Sequence, residues 1–205
     1  MIRAIITTGA LVLFLGQAAH GASIRMLGPE VILQGEIVAS DGVQFERVTR
    51  GLPNYTRVVL ESPGGDLEAG LRIARAVRAQ GFHTVVQQHC ASMCGLIWLA
   101  GSTRWLSYNA QIGFHAIRAL DGSVHSAGNA LVGSYLRDLG FDDRAIVWFT
   151  KAPPSGMAWW RPDQVKLAFK YLDGFVPYEE PSLPVKQGTH WCVQKFSWGS
   201  DTHWC

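Results

Sequence analysis

The chain has 205 residues, 48% of them hydrophobic and 17% charged, a balance that fits one globular domain with a substantial core and excludes a disordered chain. Its 18 basic and 16 acidic residues leave a net charge of only +2 and are spread along the sequence, so no basic stripe offers a surface to nucleic acid.

The first residues read as an export signal. Met1-Ile2-Arg3 gives a positive start, Ala4 to Gly16 is apolar, and Gln17 to Ala22 supplies small residues for cleavage, expected after Gly21. The apolar stretch is shorter than the roughly 20 residues of a spanning helix. That argues against the competing reading, an uncleaved membrane anchor, and no other segment is long and apolar enough to span. The mature protein is therefore expected in the periplasm or secreted. The expected division is residues 1–21 as signal, 22–175 as the folded domain and 176–205 as a tail containing Pro, Trp and Cys.

Glu30 to Val38 is β-branched and apolar and reads as a strand, and Asp41 to Gly51 has helical spacing that ends in Gly51-Leu52-Pro53. Arg57 to Glu61 reads as a buried strand closed by Ser62-Pro63-Gly64-Gly65-Asp66. The spacing then predicts an amphipathic helix over Leu67 to Gln80, with Leu67, Leu71, Ala74 and Val77 on one face and Gly81 as its stop. His83 to Gln87 follows as a strand, Ala91 to Ala100 as a helix, Gln111 to Ile117 as a strand, and Ala127 to Leu139 and Asp142 to Thr150 as helices. A break at Lys151 to Gly156 precedes a short helix starting at Arg161-Pro162-Asp163-Gln164-Val165. Alternating strands and helices predict an α/β fold with a parallel sheet.

Four cysteines suit an oxidising compartment but allow three pairings. Cys192 and Cys205 end a repeated tetrapeptide, Thr189-His190-Trp191-Cys192 and Thr202-His203-Trp204-Cys205, which reads as a loop closed by a disulfide. His190, Cys192, His203 and Cys205 are zinc-ligand types, yet the H-x-C spacing is not a usual structural-zinc pattern. Cys90 and Cys94 bracket Ser92. Two readings stay open for them: buried free thiols packed as small hydrophobes, or a disulfide that stiffens the serine turn, which within one helical turn would need distorted geometry. His83, His89 and His125 read as surface or packing residues, and the tryptophans, Trp148, Trp159 and Trp160 among them, as core or interface anchors.

Ser92 lies in Cys90-Ala91-Ser92-Met93-Cys94-Gly95, a turn of small residues before the apolar run Leu96 to Ala100. His115 is the isolated polar residue of Ile112-Gly113-Phe114-His115-Ala116. A hydroxyl presented at the N-terminus of a buried helix, with a histidine on a later strand, supplies the nucleophile and base of acyl transfer. Gly64 and Gly65, without Cβ atoms, let backbone N–H groups approach a ligand, and the amide of Met93 offers a further donor for an oxyanion.

With these residues in place the chain resembles the Clp-type serine proteases of the Clp/crotonase superfamily, from Val31 to about Asp173. The likeness rests on Ile32, Leu33 and Gly35, on Glu61-Ser62-Pro63-Gly64-Gly65, on the amphipathic helix, on Cys90 to Cys94 in place of small-small-Ser-Met-Gly, on Ala100-Gly101 and on Phe114-His115. It implies repeated ββα units with a mostly parallel sheet flanked by helices. Ser92 is implied as nucleophile, His115 as base, and Gly64, Gly65 and Met93 as the oxyanion hole. The signal and the cysteines point to an exported branch of that family.

The third triad member is not identified. The resemblance puts an aspartate where this chain has Pro153-Pro154-Ser155-Gly156-Met157, which holds no carboxylate. Asp163, Asp142 and Asp143 are displaced from that position, and a backbone carbonyl or Ser155 could orient His115 instead. A serine–lysine dyad would have to use Lys151, as no lysine precedes it. The resulting expectation is an exported serine hydrolase acting on peptides or proteins, with a weakly active or inactive peptide-binding or assembly protein as the alternative. No cofactor or metal is expected, a coenzyme A enzyme is disfavoured by export, and no ATPase partner is expected where ATP is not supplied. By analogy with the family a homo-oligomer is expected.

Overall fold

The computed structural model describes residues 21–160 and three further strand pairs or strands, at 174–176, 191–196 and 199–204. The expected signal over 1–20, the helix expected at Arg161, Asp163 and the side chains of Cys192 and Cys205 lie outside the described residues.

The chain enters through a hairpin. β1 (Ser23–Leu27) pairs antiparallel with β2 (Glu30–Gln34) across Gly28-Pro29. The expected strand over Glu30 to Val38 ends early, at Gln34, because Gly35 takes φ 104 and turns the chain out of the sheet. α1 (Asp41–Thr49) leads to β3 (Arg57–Ser62), which adds parallel to β2. α2 has the expected bounds, Leu67–Gln80, because both of its ends are closed locally. Asp66 Oδ1 accepts from the Ala69 N–H at 2.8 Å, and Gly81 at φ 68 donates its N–H to the last turn. Leu71, Ile73, Ala74 and Val77 of α2 are buried against the sheet, and the helix contacts both α1 and α3 (Met93–Leu99).

The central strand is β4 (His83–Ala91), and it forks. Its first half pairs parallel with β3 and with β5 (Arg104–Ser107), while His89, Cys90 and Ala91 pair parallel with Gln111, Ile112 and Gly113 of β6 (Gln111–Phe114). The bend is a bulge: Leu60 faces Val86, but Ser62 faces Cys90, so β4 has extra residues against β3. The Glu61 carboxylate accepts from the Gln88 N–H at 3.2 Å and from the His89 N–H at 3.1 Å, satisfying amides that the broken ladder would otherwise leave without a strand partner. β4 thus runs beyond the expected Gln87, and β5 is a strand that periodicity did not reveal.

α4 (Ser126–Asp138) and α5 (Asp143–Thr150) follow, and then β7 (Ala158–Trp160), antiparallel to β6. β8 (Gly174–Val176) extends the sheet beyond β5, and β9 (Trp191–Phe196) and β10 (Gly199–Trp204) form a separate hairpin, which brings strand pairing to a tail that shows no strong periodicity. Among the described strands, the sheet is parallel except at β1 and β7, and the main core lies between it and the helices. Ile32, Val59 and Val85 form a smaller apolar layer on the opposite sheet face, with Trp105 packed on it. This is the expected α/β architecture with a mostly parallel sheet flanked by helices.

Candidate active site

The sheet delivers Ala91, the last residue of β4, next to Gly113 of β6, and the chain then turns sharply into α3. The helix expected from Ala91 therefore starts at Met93, and Ser92 is the turn itself. Its backbone sits at φ 54 and ψ −122, which makes it the single non-glycine residue with positive φ among the described residues. For a residue with a Cβ this conformation costs about 1–3 kcal/mol and persists only where the surroundings fix it. Here the Ser92 N–H donates to the Gly113 carbonyl at 2.8 Å, and the Ser92 carbonyl accepts from the Gly95 N–H at 3.0 Å.

The two cysteines around this turn form a disulfide, with Cα atoms 5.2 Å apart. Cys90 belongs to β4 and Cys94 to α3, so the bond bridges the end of a strand and the start of a helix. The bridge is therefore not one within a single helical turn.

Gly64 and Gly65 close in from the end of β3. A Cβ on Gly64 would lie 2.7 Å from Ser92 Cβ and 3.0 Å from Met93 N, and a Cβ on Gly65 would lie 2.1 Å from the Ile37 carbonyl oxygen. Gly64 has φ 97 and Gly65 φ 138, so side chains are excluded here on both sterics and backbone conformation. Ile37 and Asp66 clamp this arm: the Ile37 N–H donates to the Gly64 carbonyl at 2.7 Å and the Asp66 N–H to the Ile37 carbonyl at 2.8 Å. The Gly64 N–H itself donates to the buried Ser62 Oγ at 3.0 Å. Ser62 entered the sequence reading only as part of a motif, and a buried serine at a strand end is the signal that it serves the turn.

His115 stands one residue past β6 rather than inside the strand expected to run to Ile117. The Ala116 N–H donates to the Ala152 carbonyl at 2.8 Å, and the Ile117 N–H to Asn129 Oδ1 at 2.7 Å, so this segment is fixed by α4 and the loop after α5. Beneath it Phe114 packs on Phe149 at 4.6 Å and on Trp160 at 5.2 Å, and Trp148 stacks on Trp160 at 4.1 Å. His115 Nδ1 lies 2.6 Å from the Ala116 carbonyl oxygen. A carbonyl only accepts, so this contact places the proton on Nδ1 and makes Nε2 the basic nitrogen.

Ser92, His115, Gly64, Gly65 and Met93 all line one groove of about 1410 Å³. Its walls also carry Glu36, Asp66, Arg118 and His125, a mixed charge that suits neither a strongly acidic nor a strongly basic ligand. Pro154, Ser155 and Gly156, the stretch without a carboxylate, line it as well. Asp142 and Asp143 are engaged elsewhere: Asp142 caps α5 by accepting from the Ala145 N–H at 2.9 Å, and Asp143 pairs with Arg137. Lys151 is exposed, with Nζ 5.4 Å from the centre of the Trp148 ring, and does not belong to the groove wall. His125 Nδ1 accepts from the Gly128 N–H at 2.8 Å and so caps α4, a definite role for a residue read as surface or packing. His83 Nδ1 contacts Thr103 Oγ1.

The mostly parallel sheet with its flanking helices has the fold of the Clp-type proteases. Two of the many solved structures that share it illustrate the likeness. The chain is similar to a point mutant of ClpP1 from Listeria monocytogenes, with a TM-score of 0.60 and 16% identity over 74% of this chain and 92% of that one. It is similar also to a peptidase from Plasmodium falciparum, with a TM-score of 0.58 and 11% identity over 72% of this chain and 95% of that one. No family model and no curated protein matches.

Proposed function

We propose that this protein is an exported serine hydrolase, acting on peptides or proteins through an acyl-enzyme at Ser92. The observation that carries the reading is the backbone of Ser92, held at φ 54 on the floor of the groove that His115 also lines. A sequence under no functional demand would relieve that conformation with glycine. In the proposed reaction Ser92 Oγ attacks the acyl carbonyl as its proton passes to His115 Nε2. The N–H groups of Gly65 and Met93 stabilise the oxyanion, and His115 returns the proton to the leaving amine. Gly64, whose N–H is taken by Ser62 Oγ, serves this site by leaving room against Ser92. Water then cleaves the acyl-enzyme with His115 again as base. The Ala116 carbonyl fixes the tautomer of His115, as an acid would, but lends the imidazolium less charge stabilisation than a carboxylate.

The same contact favours a second reading, a Clp-fold protein of weak or no activity that binds peptides or assembles with partners. A homo-oligomer belongs to either reading, and export, periplasmic or secreted location and independence from an ATPase belong to the first. Neither reading invokes a cofactor or a metal. Labelling by a fluorophosphonate probe decides between them. Wild type should be labelled, Ser92→Ala should not, and His115→Ala should slow labelling by roughly a hundredfold or more, whereas Lys151→Ala should leave the rate unchanged. An unlabelled wild type sinks the hydrolase reading.

A further inference from the structure

We infer that the Cys90–Cys94 disulfide is the device that makes Ser92 competent, so that the proposed hydrolase is set only after the chain has been oxidised. Cys90 and Cys94 are both fully buried, and the bond joins the residue two before the serine to the residue two after it. It therefore spans the one positive-φ non-glycine turn among the described residues. The Ser92 backbone is held by hydrogen bonds to the Gly113 carbonyl and from the Gly95 and Leu96 N–H groups, and the glycine arm packs against its Cβ. A covalent tie across the turn shortens the list of backbone states open to it. Without that tie, a residue in a sparsely populated conformation drifts toward ordinary turns, and its Oγ leaves the position fixed relative to Gly65, Met93 and His115.

Closing the bond takes two electrons and two protons from the Cys90 and Cys94 thiols. They pass by thiol–disulfide exchange to an oxidant of the disulfide class, whose own S–S bond opens to two thiols. Because the closed bond is buried, it is no surface switch that small thiols open and shut at will. It is formed as the chain folds in an oxidising compartment, and a reducing one keeps both residues as thiols. Cys90 and Cys94 are positioning residues in this account, and the consequence is a nucleophile that stays unset until export.

The inference rests on the hydrolase reading, and two measurements separate their fates. The first is the rate of fluorophosphonate labelling of the full chain in three forms: oxidised, folded under reducing conditions, and Cys90→Ala/Cys94→Ala. The reduced protein and the double variant should label at least roughly fivefold more slowly than the oxidised protein, with near-UV circular dichroism retained. Unfolding the reduced protein and refolding it with oxidised glutathione should restore its rate, and the same treatment should leave the double variant slow. Equal rates in the oxidised and reduced forms overturn the inference, and the reduced protein carries this arm if the double variant does not fold. The second is amide hydrogen exchange over Met93 to Leu96, which reads the tie without any chemistry at Ser92 and should quicken on reduction by roughly tenfold. Unchanged exchange overturns the clamp whatever the labelling. Quickened exchange in a protein that never labels overturns the control of activity and the hydrolase reading, and leaves the clamp standing.

Discussion

Ser92 concentrates a conflict between stability and chemistry that substitution can separate. Its φ of 54 is a conformation that glycine adopts without penalty, so Ser92→Gly should raise stability by about 1 kcal/mol after allowing for the greater freedom of glycine in the unfolded chain. Urea unfolding checks this, and a variant no more stable than wild type would show that the turn is not strained. Gly65 is the reverse case, since any side chain there meets the Ile37 backbone. Both residues are legible in sequence as a serine among small residues and a glycine pair after a strand. The tautomer of His115 is not legible, because it depends on a carbonyl whose position is set by the segment folded after β6.

At the scale of elements, local signals placed α2 to the residue. Asp66 and Gly81 should each be worth about 1 kcal/mol, Asp66→Ala through the lost cap and Gly81→Ala through its φ of 68. Chemical denaturation of the two single variants reads both effects. β4 behaves differently. Its composition suggests a strand that stops at Gln87, yet it continues to Ala91 because Glu61 supplies acceptors for the bulge and β6 supplies a new partner for its second half. Periodicity could not find β5 or β7 either, each being four residues or fewer and stabilised by neighbours distant in sequence. The same non-local pairing placed Cys90 on a strand and Cys94 on a helix, which decided between the two readings left open for them.

At the scale of the molecule, the bulge that steers β4 is also a point of pH sensitivity. His89 stands in it half-buried, its ring edge-on to Trp159 at 6.4 Å and Nδ1 3.9 Å from the Glu61 carboxylate. Burial pushes its imidazole below the ordinary value of 6.5. The unfolded chain then takes up the proton more readily than the folded one, so stability is complete above 6.5 and declines as pH falls from there through the lowered folded value. The effect is modest, since 36% of the side chain is exposed. Melting temperatures measured across this range should fall less steeply for His89→Gln than for wild type, and parallel profiles would show that another group carries the slope.

The sequence by itself determined the α/β class, most helix boundaries and the residue types of the site, because caps, turn residues and periodicity act over a few neighbours. The tertiary structure decided how those residues meet. A bulge and a change of strand partner carry Ser92 to the groove, an aromatic cluster supports the segment bearing His115, and a disulfide spans the serine turn. Each of these depends on contacts between segments far apart in the chain, and only the packed fold brings such segments together.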